Sequence, residues 1–592
     1  MTQALAHRGP DAQEVYITPD QTIALGHRRL SVIDLSNSAN QPMHSSDGRY
    51  VIVFNGEIYN FISLRNKLTK EGYKFRTSSD TEVLLGAFEK WGREVFQYLE
   101  GMFAFAILDT KDRKIFLARD RMGKKPLYYH LSDELFLFAS EIKAIRANPQ
   151  CQLEVNIQTL YDFLRLGYIP ASGTPWCNMH KLPPGSWAEV SSPSEIQIQK
   201  YWDVTDSVDL KRVGSDQDVL NRFHQLLSDA VAKRLRSDVP LGALLSGGTD
   251  SSLVCAIAND QLNGKLKTFN IGFDDKQYDE SNYANRVAKI LKTDHHTFQL
   301  SSEEAIQYMD EYLIHFDEPF ADTSAIPTLL VSKKTREQVT VALTGDGGDE
   351  LFLGYGSHQW AERMKTWVRF GKPLANILKR MPGSWAKAGE MFDVSTFDSY
   401  QQHIFSVEQG FFSLEEVQKM IRTPYVAYTY TSPNMIGKSE AEKQAFFDLT
   451  HYLPDDLLVK VDRASMRYSL ECRCPLLDHK LVEFAIGLPA TFKMRGNVQK
   501  YLLKKDLEKY LPQELIYRKK WGFSVPLEKW LRTKLSYLID EYLSEYCINK
   551  YGLLKAQEVS TLVKRFKEGE SKLYHRIWAL IVMHFWLQHH AK

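Results

Sequence analysis

Cysteine is scarce in this chain: its 592 residues hold six, and none precedes Cys151. Cys472 and Cys474 form an isolated CxC, with no paired CxxC to complete a structural zinc pattern. So few thiols exclude a disulfide framework, and with no secretory leader in view a reducing cytoplasm is the expected compartment. Charge of one sign is missing too. The 74 Lys and Arg residues meet 73 Asp and Glu, for a formal net charge of +1. Neither nucleic acid nor an anionic membrane surface would find an electrostatic footprint. Long apolar runs are also absent; Ile577–Met583 falls far short of the ~20 residues that span a bilayer and reads as a buried terminal helix.

What remains is an ordinary globular composition, 44% hydrophobic and 25% charged. Single cores stop growing at about 250–300 residues, so at least two domains are expected. The first 145 residues read as short strands joined by turns: Tyr50–Phe54, ending at Asn55-Gly56, then Met102–Leu108, Ile115–Ala118 and Leu135–Ala139. One helix, Thr81–Trp91, interrupts them. Stacked sheets with a helix layer are the expectation. Pro183–Pro184 and Ser191–Ser194 follow, and the polar stretch between Asp203 and Asp216 is the expected boundary between residues 1–205 and 215–592.

Beyond it the rhythm changes. Val219, Leu220, Phe223, Leu226, Leu227, Ala230 and Val231 recur at helical spacing over Asp216–Leu235. Short strands at Leu241–Leu245, Thr268–Phe273 and Val339–Thr344 alternate with helical segments, which argues for a parallel sheet covered on both faces. From about Tyr400 onward the pattern is nearly all helical.

The strand Leu241–Leu245 runs into Ser246-Gly247-Gly248-Thr249-Asp250-Ser251-Ser252. Glycines admit a ligand to the backbone, and the free N–H groups of a helix start attract anions. This is not a Walker A loop, which needs GxxxxGK[ST]. It lacks lysine and carries an aspartate, a residue suited to magnesium shared with substrate phosphates. A second acidic glycine loop, Thr344-Gly345-Asp346-Gly347-Gly348-Asp349-Glu350, follows another strand, in the crevice where parallel sheets bind ligands.

These motifs resemble those of the glutamine-dependent asparagine synthetases, whose synthetase half has the ATP-pyrophosphatase fold. The resemblance implies a doubly wound parallel sheet with a helical C-terminal part, using ATP and Mg²⁺ and releasing AMP and pyrophosphate. It implies that Leu244, Ser246, Gly247, Gly248, Thr249, Asp250, Ser251, Ile271, Thr344 and Gly345 contact the nucleotide. Asp250 and Asp349 would hold magnesium. Asp346, where the best-known members have glutamate, would serve acyl-adenylate formation. In Asp455–Arg463, followed by Ser469–Pro475, Lys460 would neutralise charge on the reacting phosphate. Lys519-Lys520-Trp521-Gly522-Phe523, with Pro526 and Trp530-Leu531, extends the likeness.

His7–Asp11, Gly26–Ser31, Phe54–Asn60 and Ser79–Glu82 resemble, in that order, the motifs of amidotransferases with an N-terminal cysteine nucleophile. A stacked-sheet αββα fold of that hydrolase type is implied, with Arg29 and Asp80 clamping glutamine, Asn55 and Gly56 supplying oxyanion donors and Glu57 assisting. The nucleophile is missing. Only six residues precede His7, so the expectation is no glutaminase activity, a sheet short of an inner strand and ammonia taken from solution; Thr2 lies too near His7 to replace the cysteine. The resemblance also implies small-molecule substrates and, by analogy, a homodimer. The segment Asp317–Pro327 lacks the arginine that well-studied asparagine synthetases carry near their amino-acid substrate. Amidation of another carboxylate, such as a uronic acid of a surface glycan, is therefore a rival expectation to aspartate, and a non-catalytic homologue is a third.

Overall fold

A computed structural model of the chain describes residues 1–591 apart from 208–213, 275–278, 368–370, 379–380, 382–383, 394–399, 431–434, 436 and 519–524. The N-terminal strands are β1 (Ala12–Ile17), β2 (Ala24–Arg29), β3 (Met43–His44), β4 (Tyr50–Ile58), β5 (Gly101–Asp109), β6 (Lys114–Arg119), β7 (Tyr128–Leu131), β8 (Phe136–Ala139), β9 (Met179–Lys181), β10 (Ser186–Ser192) and β11 (Glu195–Lys200). The main sheet runs β11-β10-β6-β5-β4-β3, while β1-β2 and β8-β7-β9 form two smaller sheets. Alternation along β4 and β5 assigns the layers. Val51, Val53, Ala104, Ala106 and Leu108 pack with Leu25 and Tyr129 of the smaller sheets and with Leu127 just before β7. Ile52, Phe54, Phe103, Phe105 and Ile107 pack instead on Leu64, Leu84, Leu85 and Phe88 of the helices Phe61–Lys70 and Asp80–Trp91.

One element corrects the sequence reading. The strand Tyr50–Ile58 does not end at Asn55-Gly56 but runs through it. Gly56 has φ 147°, and a side chain there would collide with the Met102 backbone of β5. The glycine serves close approach within a ladder, not a turn.

The C-terminal sheet comprises β12 (Leu241–Leu244), β13 (Lys267–Phe273), β14 (Asp294–Leu300), β15 (Val341–Leu343) and β16 (Glu471–Arg473) in the order β14-β13-β12-β15-β16. All four ladders are parallel. β16 is a second correction, because it lies in a stretch expected to be helical. Its three residues are all buried and two of them are charged, so neither alternation nor an apolar run marks it. The helix expected at Asp216–Leu235 is found at Asp216–Arg234, started by reciprocal bonds between Ser215 and Asp218.

From Asp448 to Leu457 the chain widens into a π-helix containing Pro454, then resumes as the helix Leu458–Met466. Such widened turns re-aim the side chains that follow and recur at functional sites. The terminal helix Tyr574–His590 is buried from Ile577 to Leu587 and joins one core with Tyr161, Leu164 and Trp176. Among the described residues no helix is long and apolar enough to cross a membrane.

Candidate active site

The order β13-β12-β15 places β12 at the point where successive connections leave in opposite directions, and ligands of open α/β sheets bind beyond the carboxyl ends of strands there. Both glycine loops emerge at that point. Ser246–Ser252 links β12 to the helix Thr249–Gln261, and Thr344–Glu350 links β15 to Gly348–Leu351. Ser246 Oγ and Ser251 Oγ lie 2.9 Å apart, and the Gly248 N–H donates to Ser246 Oγ at 3.3 Å. Gly247 has φ 73°, with the Ala284 backbone 2.7 Å from where a Cβ would stand. A Cβ on Gly345 would lie 2.7 Å from Ser251 N, and one on Gly348 would lie 2.5 Å from the Asp250 carboxylate carbon. The second loop can approach the first only because it lacks side chains at these positions. Leu244 is the last residue of β12, and Ile271 stands one strand over in β13.

The close approach brings Asp250 and Asp349 together. Their oxygens share the ammonium of Lys500, at 2.5 Å from Asp250 Oδ2 and 2.7 Å from Asp349 Oδ1. No sequence motif singled out Lys500, since one lysine at the start of a short helix carries no periodic or spacing signal. Burial opposes its charge, and the two carboxylates outweigh that and hold its pKa above the ordinary lysine value.

Lys460 bonds to a different segment. Its Nζ donates to Asp322 Oδ2 and to Ser324 Oγ, each at 2.8 Å. Burial works against this charge as well, but Asp322 first, then Asp456 and, more weakly, Asp346 raise its pKa. The segment that lacks the expected arginine thus supplies the partner of Lys460. Asp346 accepts from Thr344 Oγ1 at 2.6 Å. The Lys519–Phe523 stretch lies outside the described residues, while Trp530 and Leu531 are buried in the helix Leu527–Arg532.

The five residues expected to bind glutamine line one cavity of about 390 Å³, bounded by β2, β8, Met1 and Thr2 and reaching Met466 and Glu471 of the other half. Arg29 is buried and donates to the carbonyls of Ser36 at 2.8 Å and Asp34, and to Asn40 Oδ1 at 2.9 Å. Asp80 accepts the Ile58 N–H at 2.9 Å, and burial pushes its pKa up to about 6. Asn55 Nδ2 donates to Ser140 Oγ at 3.4 Å. Glu57 faces Arg473 of β16 at 3.2 Å. No cysteine is among the residues around this cavity.

Two carboxylates close enough to share one ammonium are hard oxygen donors suited to Mg²⁺, which takes one or two protein carboxylates when substrate phosphates complete its shell. Among the described residues no cluster of three or more His, Cys, Asp or Glu is placed to hold a metal unaided. The donor set fits a magnesium ion that arrives with, and is shared by, a polyphosphate.

Residues 222–588 match the Asparagine synthase family model, and residues 1–202 match the Glutamine amidotransferase domain model. The chain belongs to the asparagine synthase family. It is 32% identical to the glutamine-hydrolyzing asparagine synthetase 1 of Bacillus subtilis (strain 168) over 597 residues, covering 99% of this chain and 92% of that one. Identity to asparagine synthetase 3 of the same organism is 33% over 558 residues, covering 90% and 86%. A fungal relative, the amidase chyE of Penicillium rubens (strain ATCC 28089), is 27% identical over 601 residues, covering 93% and 88%. Membership in this family makes the protein an ATP-dependent, ligase-type amidotransferase with small-molecule substrates.

Proposed function

We propose that this member of the family forms asparagine from aspartate by way of β-aspartyl-AMP, with synthetase chemistry in residues 215–592. The observation that carries the reading is the convergence of Asp250 and Asp349 beside the Ser246–Ser252 loop at the carboxyl edge of β12 and β15. In this reading the loop N–H groups and hydroxyls cradle the β- and γ-phosphates. Asp250 and Asp349 would hold magnesium, which would supply charge neutralisation on the phosphates. An oxygen of the acceptor carboxylate attacks the α-phosphorus, and pyrophosphate leaves with the bonding pair. Ammonia then adds to the acyl carbon, AMP departs, and a proton is lost to solvent. Lys460, fixed by Asp322 and Ser324, offers a desolvated positive charge on the acceptor side.

Glutamine hydrolysis is not part of this proposal. The cavity bears the clamp residues Arg29 and Asp80, and the synthetase reaction proposed here takes free ammonia as its nitrogen donor. The second reading keeps the chemistry and changes the acceptor. Asp322 stands in the segment that lacks the arginine carried by well-studied asparagine synthetases near their amino-acid substrate, and the relative chyE is named an amidase. Pyrophosphate release measured with ATP, Mg²⁺ and ammonium chloride against a panel of carboxylates separates the two. Release with aspartate supports the first reading, release only with a uronic acid or another carboxylate supports the second, and silence with every acceptor rejects both.

A further inference from the structure

Lys500 occupies the place between the two acidic side chains, and its own backbone is shaped to put it there. Its φ of 54° is left-handed, a conformation that strains a non-glycine residue. Its N–H donates to Phe352 O at 3.0 Å, just past the acidic loop. Gly354 lies where a side chain would collide with both the Asp349 carboxylate and the Lys500 stem. A strained residue, a cleared glycine and a backbone tether together deliver one ammonium to two carboxylates. The lysine side chain is only 8% exposed, so the ion pairs are desolvated and neither partner is compensated by bulk water.

The oxygens that bind this ammonium are the oxygens assigned above to magnesium. An ammonium and a divalent cation cannot both approach Asp250 Oδ2 and Asp349 Oδ1 at bonding distance, because their like charges repel in a site of low dielectric. Metal entry therefore requires the lysine to move. If it moves with nothing to receive it, a buried cation is left unpaired, which is costly. A polyphosphate on the Ser246–Ser252 loop changes that balance. Its oxygens offer the ammonium charge-assisted bonds equal to those it gives up. The flexible four-carbon stem makes the shift without moving the backbone.

We propose that Lys500 is an internal counter-cation: it holds the metal site closed in the nucleotide-free protein and yields Asp250 and Asp349 to a divalent ion only when a polyphosphate arrives to take its ammonium. The inference rests on those two residues being metal ligands. It makes metal and polyphosphate binding mutually dependent, so each raises the affinity for the other by the same factor.

The test is retention of Mn²⁺ by the full chain in equilibrium dialysis, with no acceptor and no turnover. Wild type alone should retain little Mn²⁺, and inorganic pyrophosphate should raise retention at least about tenfold. Lys500→Met should bind Mn²⁺ without pyrophosphate at least about tenfold more tightly than wild type, whereas Lys500→Arg, which keeps the cation, should behave like wild type. Should Lys500→Met fail to fold, Lys500→Gln, which also removes the charge, supplies the same comparison. Equal Mn²⁺ binding by wild type and Lys500→Met, or a wild-type affinity indifferent to pyrophosphate, overturns the exchange. Unchanged retention of Mn²⁺ with pyrophosphate in Asp250→Asn would instead remove the ligand assignment, and the proposal with it.

Discussion

Arg473 donates to the Glu57 carboxylate at 3.2 Å across the contact between the amidotransferase-type sheet and the parallel sheet, with Arg473 fully buried and Glu57 3% exposed. The same arginine presents its carbonyl to the Thr344 N–H at 2.9 Å, and Thr344 Oγ1 donates to Asp346 at 2.6 Å. A continuous bonded thread therefore joins a residue lining the N-terminal cavity to the acidic loop that follows β15. A second contact runs in parallel, where Arg8 grips Asp462 through two bonds at 2.7 and 3.0 Å, two residues beyond Lys460.

Breaking the thread at one end strands a buried charge. Arg473→Met leaves the Glu471 carboxylate without its cation, and takes the donor from Glu57, whose pKa burial already holds well above the ordinary value; stability should fall by about 3–5 kcal/mol, read from the denaturant midpoint of the first unfolding transition. Adding Glu471→Gln to that variant should recover part of the loss, because the uncompensated carboxylate is gone. A double variant no more stable than the single one would show that the pair is not coupled.

Gly348→Ala adds one methyl group against the Asp250 carboxylate. The surrounding core is untouched, so the unfolding midpoint should stay within about 1 kcal/mol of wild type. Pyrophosphate release should nevertheless drop on the order of 100-fold, since displacing a reacting constellation by an ångström costs about that much. Wild-type turnover in a folded Gly348→Ala protein would mean that the two loops do not act together.

Asp162 provides a pH signature unconnected with catalysis. Burial pushes its pKa up to about 6, against the stabilising bonds from Tyr425 OH at 2.5 Å and the Tyr428 N–H at 3.0 Å. The folded state therefore keeps a proton that the unfolded chain loses near the ordinary aspartate value. Stability from this group is present below that value and is lost as pH rises toward about 6. Buried histidines such as His27 and His584, both held near 4, titrate in the opposite sense, so the difference between wild type and Asp162→Asn isolates the effect. Across pH 4 to 7 wild type should lose about 2 kcal/mol relative to the variant. Parallel profiles in urea would contradict the assignment.

Much of this arrangement was legible in sequence wherever a local rule had one outcome. The apolar repeat from Val219 to Val231 predicted the helix found at Asp216–Arg234, and the apolar strand before Ser246 marked where the phosphate-type loop begins. Asn55-Gly56 misled because the pair is a strong turn signal, while the actual demand on Gly56 is steric and comes from β5, some 45 residues away in sequence. β16 was hidden because Arg473 is buried for its ion pairs rather than for apolarity. Lys500 was invisible for a related reason: what places it is the meeting of two distant loops, and no pattern within its own helix reports that.

The central claim is that the acceptor carboxylate attacks the α-phosphorus between these loops. Aspartate labelled with ¹⁸O in its side-chain carboxylate, incubated with ATP, Mg²⁺ and ammonium chloride, tests it directly by mass spectrometry of the nucleotide product. The account predicts AMP carrying one ¹⁸O and unlabelled pyrophosphate, with both products lost in Asp250→Ala. Label in inorganic phosphate alongside ADP, or AMP that carries none while asparagine accumulates, would contradict it.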